Sequence, residues 1–148
     1  MSEYIETDFQ NAMFVFETVM RVRSADIGIG QHMTVEAMVG LLAEARARFL
    51  YSKGIKEINN DYHGVVITDV ATHILSRARA REELLFEVGV QNLSDKGGDF
   101  IFKVTRMYDG SVVAHAVMGF VAYDYRQNKE IPMSKELREV LDIKPFEL

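Results

Sequence analysis

The stretch from Asp26 to Gly54, DIGIGQHMTVEAMVGLLAEARARFLYSKG, constrains the fold most, because it carries a long helical pattern in a chain otherwise rich in strand formers. Met38, Leu41, Leu42, Ala45 and Phe49 recur at three- and four-residue steps, which gives a helix one apolar face. Thr34 is the expected N-cap and Val35 the first helical residue. Glu36 falls in the first turn, where the helix dipole favours a carboxylate, and Glu44 lies further along. Gly54, beside Lys53, is the expected C-terminal stop. Gly40 sits mid-helix at a cost of about 1 kcal/mol relative to alanine, which points to close approach of the sheet or of a neighbouring chain.

Such a helix cannot bury its face alone, so the rest of the chain must cover it. MFVFETVMRVR alternates, with Phe14, Phe16, Met20 and Val22 on one side, and reads as a first strand. Four more strand candidates follow the helix: VVITDVATHILS, ELLFEVGVQNL, FIFKVTRMY and SVVAHAVMGFVAYDY. In the first of these, Val66, Val70 and Ile74 share one register. Asp109-Gly110 signals a hairpin turn between the last two, and SDKGGD, residues 94–99, reads as another turn. Strands in such close succession pair antiparallel. SKELREVL reads as a final short helix with Ser134 as N-cap. Residues 1–12 are polar and read as a loosely held lead-in. The expected class is α+β, a curved antiparallel sheet wrapped around a long helix, in a single domain spanning 1–148.

The chain has no cysteine, so disulfides, thiolate metal sites and cysteine nucleophiles are excluded. A formal net charge of -5 argues against nucleic acid as the main partner but leaves room for an anionic ligand at a local basic patch. No apolar run approaches the roughly 20 residues of a membrane span. The acidic start, MSEYIETDFQ, lacks a signal-peptide core, so a cytoplasmic protein is expected. His63 and His115 have no partners at metal-ligand spacing, so no metal site is expected.

The loop feeding the helix carries the chemistry. Gly28 and Gly30 are expected to take backbone conformations closed to other residues. A glycine loop entering a helix N-terminus leaves backbone N–H groups without partners, and those near Thr34 and Val35 suit a carbonyl oxygen gaining negative charge, or a phosphate.

The landmarks in order are the Asp26 loop with His32, EARARFLYSKGI, GVVITDVATHIL, EELLFEVGVQNL, the DGSVVAHA hairpin and YDYRQNKEIPMSKELREVL. Over nearly the whole chain this order resembles the hotdog-fold acyl-CoA thioesterases, in particular the 4-hydroxybenzoyl-CoA thioesterase-like group. The resemblance implies hydrolysis of an acyl-CoA thioester to free acid and CoA, with CoA as part of the substrate and no other cofactor. It implies a homodimer or homotetramer in which sheets pair and sites lie between protomers. Aligned on His32 and on Glu44-Ala45-Arg46, the group's first loop aspartate falls at Asp26. Its second aspartate, the catalytic carboxylate, falls at Gly28; its glycine falls at Gln31, and its two asparagines fall at Thr34 and Val35.

Candidate roles follow from chemistry and resemblance together. His32 could bind the thioester carbonyl or act as acid or base; the plainer alternative is a loop hydrogen bond. Glu36 could activate water in place of the missing aspartate, or merely answer the helix dipole. Asp26 could orient His32, serve as the displaced carboxylate, or cap its own loop. Glu44 could pair with His32 as in hotdog hydratases and dehydratases, or with Arg48 at i+4. Asp69 and His73, on one side of a strand, could face the substrate channel, or His73 could sit in a satisfied polar contact. Arg77, Arg79 and Arg81, with Lys96 and Gly97 of the following turn, could meet CoA phosphates, or form a solvated surface. A non-catalytic acyl-CoA binding protein and a hotdog hydratase or dehydratase stand as alternative functions.

Overall fold

The structure is a computed structural model describing residues 7–10 and 12–142. Its elements are β1 (Phe16–Arg21), a 3-10 turn (Ser24–Asp26), α1 (Val35–Ser52), β2 (His63–Ile74), β3 (Glu83–Gln91), β4 (Gly97–Arg106), β5 (Val112–Asp124), β6 (Lys129–Glu130) and α2 (Lys135–Leu141).

Helix α1 begins where its cap dictates. The Thr34 hydroxyl accepts from the Ala37 N–H at 3.1 Å, and Val35 is the first helical residue. It ends in a left-handed glycine, Gly54 at φ 72°, with Gly54 N–H donating to Tyr51 O and Ile55 N–H to Leu50 O. These two bonds satisfy carbonyls the helix would otherwise leave bare. The buried face is Met38, Leu41, Leu42, Ala45, Phe49 and Leu50. Burying each large member stabilises by roughly 1.5–3 kcal/mol before entropy. At Gly40 a methyl group would meet nothing within 4 Å, so of the two expected neighbours the sheet is not the one that approaches it.

The strands pair antiparallel in the order β1-β3-β4-β5-β2, with β6 added to β5. Helix α1 joins the two edge strands and so crosses one whole face of the sheet. Phe49 meets Phe16 and Phe100, and Phe100 stacks on Phe120 at 4.4 Å, tying helix to sheet. This is the α+β arrangement that the pattern of one long helix among strands implied.

Three sequence expectations are corrected here. A bulge between Ile67 and Asp69 shifts the β2 register, so Val66 pairs with Val121 while Val70 and Ile74 pair with Met118 and Ala114. An extra residue flips every later side chain across the sheet, and Val66 is therefore not on the face of Ile74. Gly97, Gly98 and Asp99 belong to β4 rather than to a turn. A methyl group at Gly97 would lie 1.9 Å from Phe120 O, so the glycine lets two strands approach. Of the expected lead-in, residues 1–6 and 11 lie outside the described residues, but Phe9 is buried and stacks on His115 at 4.2 Å, on the sheet face away from α1.

Candidate active site

The loop ahead of α1 is held by its own backbone. Gly28 N–H donates to His32 O at 3.0 Å, Gln31 N–H to Gly28 O at 3.1 Å, and Thr34 N–H to Asp26 O at 3.1 Å. Met33 N–H donates to Ala78 O at 2.8 Å, fastening the loop to the segment after β2.

Asp26 is 3% exposed and its carboxylate is engaged by Arg23. It accepts from the Arg23 backbone N–H at 2.9 Å, from Nε at 3.1 Å and from Nη2 at 2.8 Å. The guanidinium hydrogen bonds hold the Asp26 carboxyl below the usual carboxylate range, against the opposing effect of burial. Among the described residues this carboxylate has no bond to His32, so its geometry is that of a loop brace.

The two glycines do different things from those expected of them. Neither takes the left-handed conformation, which falls instead on Gln31 at φ 65°. Gly28 is required for space, since a methyl group there would sit 2.8 Å from the Thr34 methyl carbon. At Gly30 the only atom within 4 Å of such a group is His32 Nδ1, at 3.9 Å.

Around the start of α1 lies a cleft of about 450 Å³, lined by Gly28, Ile29, Gly30, His32, Met33, Thr34, Val35, Ile74, Leu75, Ser76 and Arg77. Its wall holds His32, whose Nδ1 is enclosed and has no hydrogen-bond partner among the described residues. A proton on Nδ1 would be a buried donor without an acceptor, so the imidazole proton belongs on Nε2, the nitrogen left open. Thr34 Oγ1 takes the Ala37 N–H and Thr34 O takes the Met38 N–H, which leaves the first-turn N–H groups of Val35 and Glu36 without acceptors among the described residues. The cleft thus gathers His32, Thr34, Val35, Gly28, Gly30 and Arg77 from the candidate set. No carboxylate lines it.

Other candidates lie elsewhere. Glu36 is exposed at the second position of α1, and no ion pair engages it among the described residues. Glu44 is nine residues along, about 14 Å of rise, and is ion-paired with Arg48 at 2.9 Å. The His32–Glu44 pairing is therefore not made. Asp69 and His73 pair with Gly119 and His115, on the face that carries Ile101, Val117 and Phe9, so they point away from α1 and its cleft. Arg77, Arg79 and Arg81 are exposed on the β2–β3 connection. Lys96 and Gly97 stand at the start of β4, whereas that connection is tied to Arg106 at its end, about 30 Å away along the strand. The structure therefore separates Lys96 and Gly97 from the arginines.

A larger cleft, about 890 Å³, lies at the opposite end of α1. It has an apolar floor that includes Ile55, Val65, Ile131 and Leu137, and a rim with Lys53, Lys56 and Lys129. None of its enclosed side-chain polar atoms is left without a partner among the described residues. Asp124 accepts from the backbone N–H groups of Arg126 and Gln127 and faces His63 Nε2 at 3.4 Å. Among the described residues no group of three His, Asp or Glu is placed to hold a metal ion, and no helix is long and apolar enough to cross a membrane.

The sequence profile of the thioesterase-like superfamily matches residues 22–141. The chain belongs to this superfamily. Solved structures of the hotdog fold agree with it. The probable thioesterase YbaW of Escherichia coli is 25% identical, with a TM-score of 0.77 over 85% of this chain and 96% of that one. A 1,4-dihydroxy-2-naphthoyl-CoA thioesterase of Synechocystis is 14% identical, with a TM-score of 0.78 over 85% and 94%. A Staphylococcus aureus protein solved in complex with CoA is 17% identical, with a TM-score of 0.79 over 93% and 92%. Among curated proteins nothing matches the chain in sequence.

Sequence reasoning missed the residues that hold this thioesterase-like site in shape. Arg106 donates to Glu82 Oε2 at 2.7 Å, to Ser76 Oγ at 2.8 Å and to Arg77 O at 2.8 Å, and Glu82 Oε1 accepts the Arg79 N–H at 2.6 Å. Nothing in the spacing of Ser76, Glu82 and Arg106 announces that they meet, because β3 and β4 intervene. Arg23 is the exception: its three-residue offset from Asp26 is a turn-brace signal legible in the sequence.

Proposed function

We propose that this thioesterase-like protein hydrolyses an acyl-CoA thioester to the free acid and CoA, and that its working site is the cleft at the start of α1. The observation that carries the reading is the cleft itself, where open first-turn N–H groups and an unpartnered histidine converge. As water attacks the thioester carbon, charge builds on the carbonyl oxygen. The N–H groups of Val35 and Glu36, with the positive end of the helix behind them, hold that charge. His32 donates to the same oxygen from Nε2. Glu36, the unpaired carboxylate of the first turn, takes the proton from water. The thiolate of CoA leaves as the tetrahedral intermediate collapses.

The site is shared between protomers in this reading. β2 is an edge strand paired on one side by β5, and only its start is covered on the other side, where Ile58 bridges to Gly64. Val70, 41% exposed, and Leu75, 52% exposed, lie along or just past that edge. A second copy joined there covers apolar side chains and completes the sheet.

A second reading, an acyl-CoA binding protein without turnover, is favoured by the lack of any carboxylate in the cleft lining. Incubation with a panel of acyl-CoAs and a free-thiol readout separates the two. Hydrolysis is expected, with Glu36→Gln lowering kcat by roughly 10²–10⁴-fold. Tight binding with no thiol released establishes the second reading instead.

A further inference from the structure

The cleft around His32 is lined mainly by apolar side chains, and several of them have nothing to cover them. Met33 and Ile74 are half-buried against the core. Ile29 is fully exposed, Val35 is 49% exposed, and Leu75 lies just past the sheet edge. Ile29 is held out by its loop, since the Gly28 N–H donates to His32 O and the Gln31 N–H to Gly28 O on either side of it. Exposed apolar side chains gathered at a cleft mark a place where a ligand is covered.

The polar side chains of the same lining offer little to a group beyond the thioester oxygen. Thr34 Oγ1 accepts the Ala37 N–H. Ser76 Oγ donates to Val112 O at 2.9 Å and accepts from Arg106 Nη1 at 2.8 Å. No carboxylate lines the cleft among the described residues. The groups left open are donors: the Val35 and Glu36 N–H groups, His32 Nε2, and the Arg77 guanidinium, which accepts nothing. A hydroxyl on the acyl group would leave its proton without a side-chain acceptor, and a buried polar group without a partner is unfavourable. An alkyl group covers Ile29 and Val35 without that loss.

We propose that the cleft selects an alkyl acyl group that carries no hydroxyl, and that Ile29 and Val35 are the residues that recognise it. The proposal rests on the acyl-CoA hydrolase reading for its ligand. Continuity decides the occupant. The apolar side chains belong to the same cleft as the open donors and the unpartnered His32, so the group they cover is the one attached to the thioester carbon. A second copy of the chain seated on Ile29 would not account for those donors.

Non-hydrolysable thioethers of CoA, titrated calorimetrically into the full chain, read the preference without turnover. Hexyl-CoA is expected to bind at least about ten-fold more tightly than 3-hydroxyhexyl-CoA. Ile29→Ser and Val35→Ser are each expected to weaken hexyl-CoA about ten-fold, and Ile29→Ser to weaken CoA itself by less than about two-fold. Equal affinity for the two thioethers, or no binding of hexyl-CoA, overturns the proposal. So does a preference for 5-carboxypentyl-CoA that Arg77→Ala abolishes, which assigns the cleft to dicarboxylic acyl groups. Unchanged hexyl-CoA affinity in both serine variants overturns it as well, and altered sedimentation of Ile29→Ser then gives that side chain to a second copy. Selective hexyl-CoA binding that depends on Ile29, in a protein that releases no thiol, upholds the proposal while the hydrolase reading fails.

Discussion

The two ends of α1 differ in a way that volume does not capture. The C-terminal end opens on the larger cleft, about 890 Å³. Its glycine cap closes the last carbonyls, Asp124 is filled by backbone donors, and the Tyr125 hydroxyl donates to Val65 O at 3.0 Å. The N-terminal end opens on about 450 Å³, but there a histidine nitrogen is enclosed without a partner and first-turn N–H groups stand open. Leaving a buried polar atom unsatisfied costs about 1–3 kcal/mol. A fold that keeps such an atom at one end and satisfies the other end marks the first as the place for a ligand. Unused hydrogen-bonding capacity, rather than empty space, distinguishes the site.

The sharpest way to break this comparison is to remove one histidine from each end. His32→Ala is expected to lower kcat/KM for an acyl-CoA by roughly 10²–10³-fold, the scale of a lost oxyanion donor. His63→Ala, at the larger cleft, is expected to leave the rate within two-fold, roughly. Steady-state thiol release measures both, and the opposite ranking would move the site to the other end of α1.

A smaller effect tests how tightly the front end is packed. Gly28→Asp is expected to lower unfolding free energy by about 1–3 kcal/mol, because the new Cβ strikes the Thr34 methyl. Thr34→Ser removes that methyl and keeps the capping oxygen, so the double variant is expected to regain most of the loss in urea unfolding. If the chain is a binding protein, the double variant is also the one in which turnover emerges.

Asp26→Asn probes the loop brace. It is expected to destabilise by about 1–3 kcal/mol at neutral pH. The folded-state pKa of Asp26 lies below its ordinary 3.8, so its contribution is complete above that value and is lost as pH falls through the lower folded value. The gap between the variant and the parent is therefore expected to close below about pH 4, and a gap that persists in acid removes Arg23–Asp26 as its cause. The smallest effect is at Gly40, where alanine is expected to add about 0.5–1 kcal/mol. Destabilisation there instead reveals a partner chain against that face of α1.

Much of the helix is written in adjacent residues. Thr34, Val35, Gly54 and Ser134 stand at the caps their chemistry requires, and Gly110 turns its hairpin at φ 74°. These features depend on a few neighbouring residues, and so they are legible. The candidate site was legible in the run from Gly28 to Val35 and at Arg77. Asp69 and His73 alternate with Val70 and Ile74, which face α1, and so they turn to the other face of the sheet, while β4 carries Lys96 away from the arginines.

The sequence by itself determined the elements, their caps and the α+β class, since period and capping act over a few residues. Only the tertiary structure decided that Arg106 clamps the arginine loop beside His32, that Asp69 and His73 face away from α1, and that β4 carries Lys96 away from the arginines. Those outcomes depend on partners brought together from distant strands, and no local pattern encodes who meets whom.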